Sequence, residues 1–551
     1  MQLTGCQIII EVLIEQGVKT VFGYPGGQVL NIYDALYEYR DRIKHVLTAH
    51  EQGAAHAADG YGRASGEIGV CIATSGPGAT NLITGLATAN ADSIPLIAIT
   101  GNVPMELIGT DSFQEVDTIG LSIPVTKHSF LVKNVESLAE TLREAFRVAK
   151  SGRPGPVLVD IPKNVQLATT EFERGGKAVQ KPFDHPEKEL LDEAVRLIEK
   201  SERPLIYCGG GVVNGGCSEE ISALAEKCDA YVSFSMMGLT AMDGESPRYL
   251  GMSGMHGRYA ATRAFSEADL IIAAGVRFTE RATGNKTKFA EHAKIIHIDI
   301  DVAEHGKNID ANVKISGGLK EALQYILENT KQKDNAKWHG VMEEYKAKRR
   351  ETAAGPYMMP WDIISAVNKK ADADTVIATD VGQHQMWVAQ YYVFKKPRTH
   401  LTSGGLGTMG YGMGAAIGAC MATGKRTVLF TGDGSFGMNL NEMATAVSQN
   451  LPITIVVLNN GMLGMIRQWQ SLFFNNHYMA TVLERKTDFV KLADAFGAKG
   501  FRAFNVEELE KAIDDAFAIE GPAVIDCVIP PEENVFPMVP PNGSLDNMIL
   551  K

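Results

Sequence analysis

No stretch of this 551-residue chain is apolar for long enough to cross a bilayer. Positive charge is in deficit: the net charge is −12, which argues against nucleic acid or an anionic membrane surface as a bulk partner. An anionic substrate is still open, because a local arginine or metal can reverse the field. Cysteine is scarce and odd in number, with Cys6, Cys71, Cys208, Cys217, Cys228, Cys420 and Cys527 scattered and no C-x-x-C pair. That excludes a disulfide framework and a zinc site as expectations and fits a reducing compartment. The opening "MQLTGCQIIIEVLIEQG" is acidic and broken by polar residues, so it reads as an amphipathic helix and not a signal peptide. These absences together lead us to expect a cytoplasmic protein.

What is present is ordinary globular composition, 45% hydrophobic and 21% charged, in a length that suits about three domains. Residues 1–165 alternate short apolar strands ("HVLTA", "GVCIAT", "PLIAIT", "PVLVDIP") with helix-period segments. That is the grammar of α/β domains with doubly wound parallel sheets. Residues 166–188 read as a linker, 189–328 repeat the grammar ("PLIYCGGG", "LIIAAGV", "KIIHIDI"), 329–358 read as a second charged linker, and 359–551 form a last α/β domain. The first and last domains align at a constant offset of 357, which sets Gly76 on Asp433, Pro95 on Pro452 and Asn102 on Asn459. We read this as two duplicated domains flanking a third.

The chemistry begins at "TGDGSFGMNLNEMATAVSQNLPITIVVLNN". One apolar run stops at Gly432-Asp433-Gly434 and the next at Asn459-Asn460, one βαβ unit apart. Right-handed crossovers bring both strand ends to the same sheet edge, where open α/β folds bind ligands. One carboxylate and one amide oxygen there suit Mg²⁺, which usually shares its octahedron with phosphate oxygens. Gly432 and Gly434 let the backbone approach such a phosphate. Other phosphate motifs fail: "TGKRT" at 423–427 has Arg426 where a P-loop needs a hydroxyl, and "GLGTMG" at 405–410 follows no clear strand.

Gly-Asp-Gly, about twenty-five residues, then Asn-Asn resembles the cofactor motif of thiamine-diphosphate enzymes. "VFGYPGG", "AHEQGAAHAADGYGRASG", "TSGPGATN", "GTDSFQEVD", "VGQHQMW", "SGGLGTMGYG", "IRQW" and "FPMVPPNGSL", in this order, look like the catalytic subunits of the acetohydroxyacid (acetolactate) synthases. The resemblance covers essentially the whole chain. It implies a pyrimidine-binding domain, a central FAD-type domain and a diphosphate-binding domain. The implied reaction decarboxylates pyruvate on thiamine diphosphate and transfers the two-carbon unit to a second 2-ketoacid, in branched-chain amino-acid biosynthesis.

Carried over residue by residue, the resemblance implies Asp433, Asn460 and the Met462 carbonyl as Mg²⁺ ligands. It implies Gly26, Gly27, Val381, Gly382, Gln383, His384, Gly407, Met409, Gly434, Ser435, Leu463, Gly464 and Met465 around thiamine diphosphate. Glu51 would serve the pyrimidine N1′, a role that needs a carboxyl group in an apolar pocket, and Met409 would prop the bent cofactor. Arg281 and Trp469 match the places that grip the acceptor's carboxylate and wall its side chain, with Phe113, Gln114 and Met255 nearby. Gly209, Gly210, Gly211, Met237, Met255, His256, Gly275, Arg277, Arg281 and Asp299 resemble FAD-binding positions. The chain departs from the family at Thr279-Glu280, usually two aspartates, and at Gly414, where proline is commoner.

The implied partners are pyruvate and a second 2-ketoacid, a second copy of the chain in a homodimer or tetramer with sites between chains, and a small regulatory subunit. An FAD-free degradative acetolactate synthase and a flavin-dependent pyruvate oxidase share this plan and stay open here.

Overall fold

The computed structural model describes residues 1–179, 183–348 and 357–551. Parts of both expected linkers, residues 180–182 and 349–356, lie outside the described residues. The α/β class with three parallel six-stranded sheets is what the chain adopts. Runs such as Ile453–Asn459 (ITIVVLN) are β-branched and buried on both faces, as strands inside a helix-covered parallel sheet must be.

The N-terminal sheet runs Lys44–Leu47, Thr20–Gly23, Gly69–Ala73, Leu96–Asn102, Pro156–Pro162, His128–Leu131. The C-terminal sheet runs His400–Leu401, Val376–Thr379, Thr427–Gly432, Ile453–Asn459, Ala523–Val528, Lys499–Ala503. Counted in chain order within each domain, both read 2-1-3-4-6-5. Leu96–Asn102 and Ile453–Asn459, superposed by the offset of 357, are the fourth strand of their respective sheets. The middle sheet differs: Tyr249–Met252, Tyr231–Phe234, Pro204–Cys208, Leu270–Ala274, Lys294–Asp299, Val313–Ser316, or 3-2-1-4-5-6. Each order reverses beside its first strand, and that crevice is where an open α/β sheet takes a ligand.

The second stretch read as a linker carries a helix, Ala336–Ala347. Its Trp338 and Met342 are fully buried against the middle sheet, and Trp338 Nε1 donates to the Pro204 carbonyl at 3.1 Å. Packing overrides the charged composition there. Among the described residues no helix is long and apolar enough to cross a membrane.

The N- and C-terminal domains share one hydrophobic core, welded by helices Glu51–Ser65 and Tyr411–Thr423. Small residues let the two backbones touch. A Cβ on Gly418 would stand 1.9 Å from the Ala57 carbonyl oxygen, and one on Gly60 would stand 2.3 Å from that of Ala415. Gly414, the departure from proline, has the same reason: a Cβ there would meet the His56 Cβ at 2.6 Å. A Cβ on Gly340, on the solvent side of helix Ala336–Ala347, would meet nothing within 4 Å.

Two alanine substitutions therefore act in opposite directions. Gly418→Ala forces the helices apart and costs about 1–3 kcal/mol, the usual size of overpacking. Gly340→Ala adds about 0.5–1 kcal/mol by relieving a mid-helix glycine. Denaturant unfolding midpoints of the two variants check both signs.

Candidate active site

The reversal points of the middle and C-terminal sheets open on one cavity of about 1190 Å³. On the C-terminal side, Val376–Thr379 ends in the turn holding Val381, Gly382, Gln383 and His384, and Thr427–Gly432 ends in Asp433, Gly434 and Ser435. Asn460, Met462, Leu463, Gly464 and Met465 follow the neighbouring strand, and Gly407 and Met409 enter from the loop before Tyr411–Thr423. All of these line the cavity.

Asp433 is buried at the rim, and burial pushes its carboxyl up to about 6 against the pull of the Gly434 and Gly461 amides. Among the described residues it has no cationic partner. Asn460 Oδ1 accepts from the Met462 amide at 3.0 Å, and its Nδ2 donates to Gln383 Oε1 at 3.4 Å. Gln383 is itself held by Gln468 Oε1 and the Glu533 carbonyl, both at 3.0 Å. His384 is buried, its imidazole driven down to about 3 by burial, so it is neutral, and its Nε2 has no protein partner. Nowhere among the described residues do three or more His, Cys, Asp or Glu side chains gather as a metal cage. A carboxylate without a counter-cation beside an amide oxygen fits instead a hard cation that brings phosphate oxygens with it.

On the middle-domain side, Gly209, Gly210, Gly211 and Gly275 form the lips, with Met237, Met255, His256, Arg277, Arg281 and Asp299 around them. Burial holds the Arg277 guanidinium below its usual range and pushes Asp299 up to about 6. His256 Nδ1 is buried without a protein partner. Arg281 lies 5.4 Å over the Trp469 ring and donates to Met255 Sδ at 2.7 Å. The closing segment backs this wall, where the Val539 amide donates to the Met255 carbonyl at 2.8 Å and Met538 packs with Met255, Phe536 and Trp469.

Glu51, Gly26, Gly27, Phe113 and Gln114 are not part of this wall. They gather on the N-terminal domain instead. A Cβ on Gly26 would stand 2.5 Å from the Thr74 side chain, one on Gly78 would meet both Thr74 at 2.8 Å and Glu51 Oε1 at 3.4 Å, and Glu51 Oε2 accepts from Asn81 Nδ2 at 3.0 Å. Gln114 takes a left-handed backbone (φ 61°) against Gly76, where a Cβ would come within 2.8 Å of the Gln114 carbonyl oxygen. Phe113 beside it is 86% exposed.

Sequence reading missed a buried ion network that holds the Met409 loop. Arg63 pairs with Asp59 at 2.6 Å and with Asp92 at 2.9 Å, all three side chains being buried. Asp92 accepts from the amides of Gly404 (3.0 Å) and Gly405 (2.7 Å), and Arg63 donates to the Thr402 carbonyl at 2.9 Å. Two carboxylates on one guanidinium leave a surplus charge, which those amides and the Tyr411 hydroxyl (2.6 Å to Asp59) absorb. Arg153, another lining residue, pairs with Glu304 at 3.0 Å. No local motif announces Asp92: it is simply the last residue of helix Pro77–Asp92.

Three families match along the chain. Residues 3–121 match the thiamine pyrophosphate enzyme N-terminal TPP binding domain, 191–326 the central domain, and 380–527 the C-terminal TPP binding domain. The chain is 46% identical to the acetolactate synthase isozyme 2 large subunit of Escherichia coli, over 100% of both chains. It is 45% identical to a probable acetolactate synthase large subunit of Methanocaldococcus jannaschii, covering 99% of this chain and 95% of that one. With the acetolactate synthase large subunit of Corynebacterium glutamicum the identity is 44%, covering 98% and 89%.

Removing one charge from the buried network tests its hold on the loop. Asp92→Asn lowers stability by about 3–5 kcal/mol, the cost of stranding a buried partner. It also speeds hydrogen–deuterium exchange over 402–409, which mass spectrometry resolves from the rest of the chain.

Proposed function

Since the chain belongs to the thiamine pyrophosphate enzymes and, within them, to the acetolactate synthase large subunits, we propose that this cavity carries out the carboligation with the residues described above. The observation that carries the reading is the rim itself. Asp433 and Asn460 end adjacent strands of the C-terminal sheet, and Arg281 and Trp469 face the same cavity.

In this reading Asp433, the Asn460 amide oxygen and the Met462 carbonyl hold Mg²⁺ on the diphosphate. Gly382, Gln383, His384, Gly434 and Ser435 surround the phosphates, and Met409 props the ring system. His384, neutral and already donating to the Asp380 backbone, leaves its Nε2 as an acceptor at the cavity wall, suited to a donor on the bound group. When bound, thiamine diphosphate supplies the carbon nucleophile and the electron sink for decarboxylating pyruvate. Glu51 holds the proton at the pyrimidine N1′. Arg281 grips the carboxylate of the second 2-ketoacid, and Trp469 with Met255 shapes the apolar wall against its side chain. FAD occupies the middle-domain lips, where Arg277 and Asp299 offer one donor set and one acceptor.

Glu51, Gln114 and Phe113 stand apart from the cavity of their own chain, which supports a site completed by a second copy. The relatives named as large subunits support a small-subunit partner as well.

Purified protein given pyruvate, thiamine diphosphate and Mg²⁺ forms acetolactate, and FAD raises the rate. A rate indifferent to FAD would favour the FAD-free degradative reading. Glu51→Gln cuts kcat by about 10²–10⁴-fold, the usual worth of a positioned acid or base. Wild-type turnover in that variant would remove Glu51 from the reaction.

A further inference from the structure

Glu442 is a carboxylate with no exposed surface, in the short turn Leu440–Glu442 of the C-terminal domain. It does not point at the cavity. Its Oε1 accepts from the amides of Ala49 (3.1 Å) and His50 (3.0 Å), and its Oε2 from Ala49 (3.2 Å) and the Thr445 hydroxyl (2.7 Å). Ala49 and His50 belong to the N-terminal domain and immediately precede Glu51, the first residue of helix Glu51–Ser65.

A second feature is shaped around the same group. A Cβ on Gly53 would stand 2.0 Å from Glu442 Oε1 and 2.4 Å from its carboxyl carbon. The glycine therefore clears the space that the carboxylate fills. Helix starts are ordinarily capped by a neighbouring side chain, and here His50 does so for the Gln52 amide at 3.1 Å. The two amides before it are instead satisfied from 392 and 393 residues away, across a domain boundary. Burial raises the Glu442 carboxyl, while the Thr445, Ala49 and His50 donors pull it back.

Glu51 is thus fixed from two sides. Asn81 holds its side chain from helix Pro77–Asp92, and Glu442 holds the backbone from which that side chain departs. The geometry points to Glu442 as a positioning residue for Glu51, setting where the Glu51 carboxyl leaves the helix start. This rests on the proposal that Glu51 holds the N1′ proton. A displacement of about 1 Å in a reacting group is enough to cost on the order of 100-fold, so a carboxylate that never meets the substrate still governs the rate.

The test is a double-mutant cycle with a structural readout. Glu442→Gln keeps the volume but turns one acceptor into a donor facing an amide or the Thr445 hydroxyl. In cofactor-free protein it speeds hydrogen–deuterium exchange in the peptide spanning residues 46–54. In the assembled enzyme it lowers kcat by about 10- to 100-fold, with KM for pyruvate unchanged. Placed on Glu51→Gln, it adds no further loss, because the residue through which it acts is already gone.

Equal losses in both backgrounds, or unchanged exchange over 46–54 in a folded variant, would overturn the assignment while leaving Glu51 in its role. Wild-type turnover of Glu51→Gln alone overturns both. Should Glu442→Gln fail to fold, Thr445→Val removes only one donor and enters the same cycle, where a smaller loss confined to the Glu51 background is expected and an equal loss in both overturns the assignment.

Discussion

The contact between helices Glu51–Ser65 and Tyr411–Thr423 sets the rest of the structure. Their backbones approach closely because Gly60, Gly414 and Gly418 have no side chain to hold them apart. Interior packing at this density has no slack for an added methyl. The buried Asp59–Arg63–Asp92 network lies across the same boundary and ties the first helix to the loop that leads into the second. Because the weld is rigid, the N-terminal cluster around Glu51 and the rim around Asp433 keep a fixed relation within one chain. That relation leaves Glu51 outside the cavity. Under the proposed function, a site that needs both groups would draw one of them from another copy, and the requirement would come from intrachain packing and not from loop flexibility.

Much of this was legible because strand ends are local. A β-branched run followed by Gly-Asp-Gly or Asn-Asn announces both the strand and the polar group at its tip, and the pairing of Thr427–Gly432 with Ile453–Asn459 brings those tips together. The helix Ala336–Ala347 was missed although Trp338, Val341, Met342 and Tyr345 recur at helical spacing. Its lysines and glutamates masked the stripe. Asp92 and Glu442 carried no signal at all. The backbone amides they hold across the domain boundary lie hundreds of positions away, and an acid at a helix end or in a turn looks like any solvated carboxylate until the chain closes around it.

The glycines of the middle domain separate two arguments that a sequence merges. Gly209, Gly211 and Gly275 are required by the chain itself: a Cβ on Gly209 would stand 2.0 Å from the Gly275 carbonyl oxygen, and one on Gly211 would lie 2.7 Å from the Gly275 Cα. Their identity says that two strand ends touch, and by itself it says nothing of a ligand. The case for a bound group comes from the polar groups around the lips. Arg277 donates to the Ala91 carbonyl at 2.7 Å and Asp299 accepts from the Asp301 amide at 2.9 Å, yet burial disfavours the charge of both, and His256 keeps an unpartnered Nδ1. Buried polar atoms are ordinarily paired, and all three residues face one cavity.

The departure at Thr279-Glu280 bears on how freely Arg281 can act. Glu280 Oε2 lies 3.5 Å from Arg281 Nε, with both side chains more than half exposed. A pair so placed is worth about 0–1 kcal/mol, too little to hold the guanidinium against an incoming carboxylate that meets it with two parallel hydrogen bonds. The other contacts do not compete either. A thioether is a weak acceptor, and the face of Trp469 engages the cation without using its N–H groups. Glu280 therefore leaves Arg281 available at the cavity. The ring beneath, packed edge-on against Phe473 at 5.4 Å, is held by Met538 and its neighbours. Under the proposed function, orientation of the acceptor would come from the arginine and discrimination between acceptors from the wall, and a change at position 280 would act on the first while leaving the second untouched.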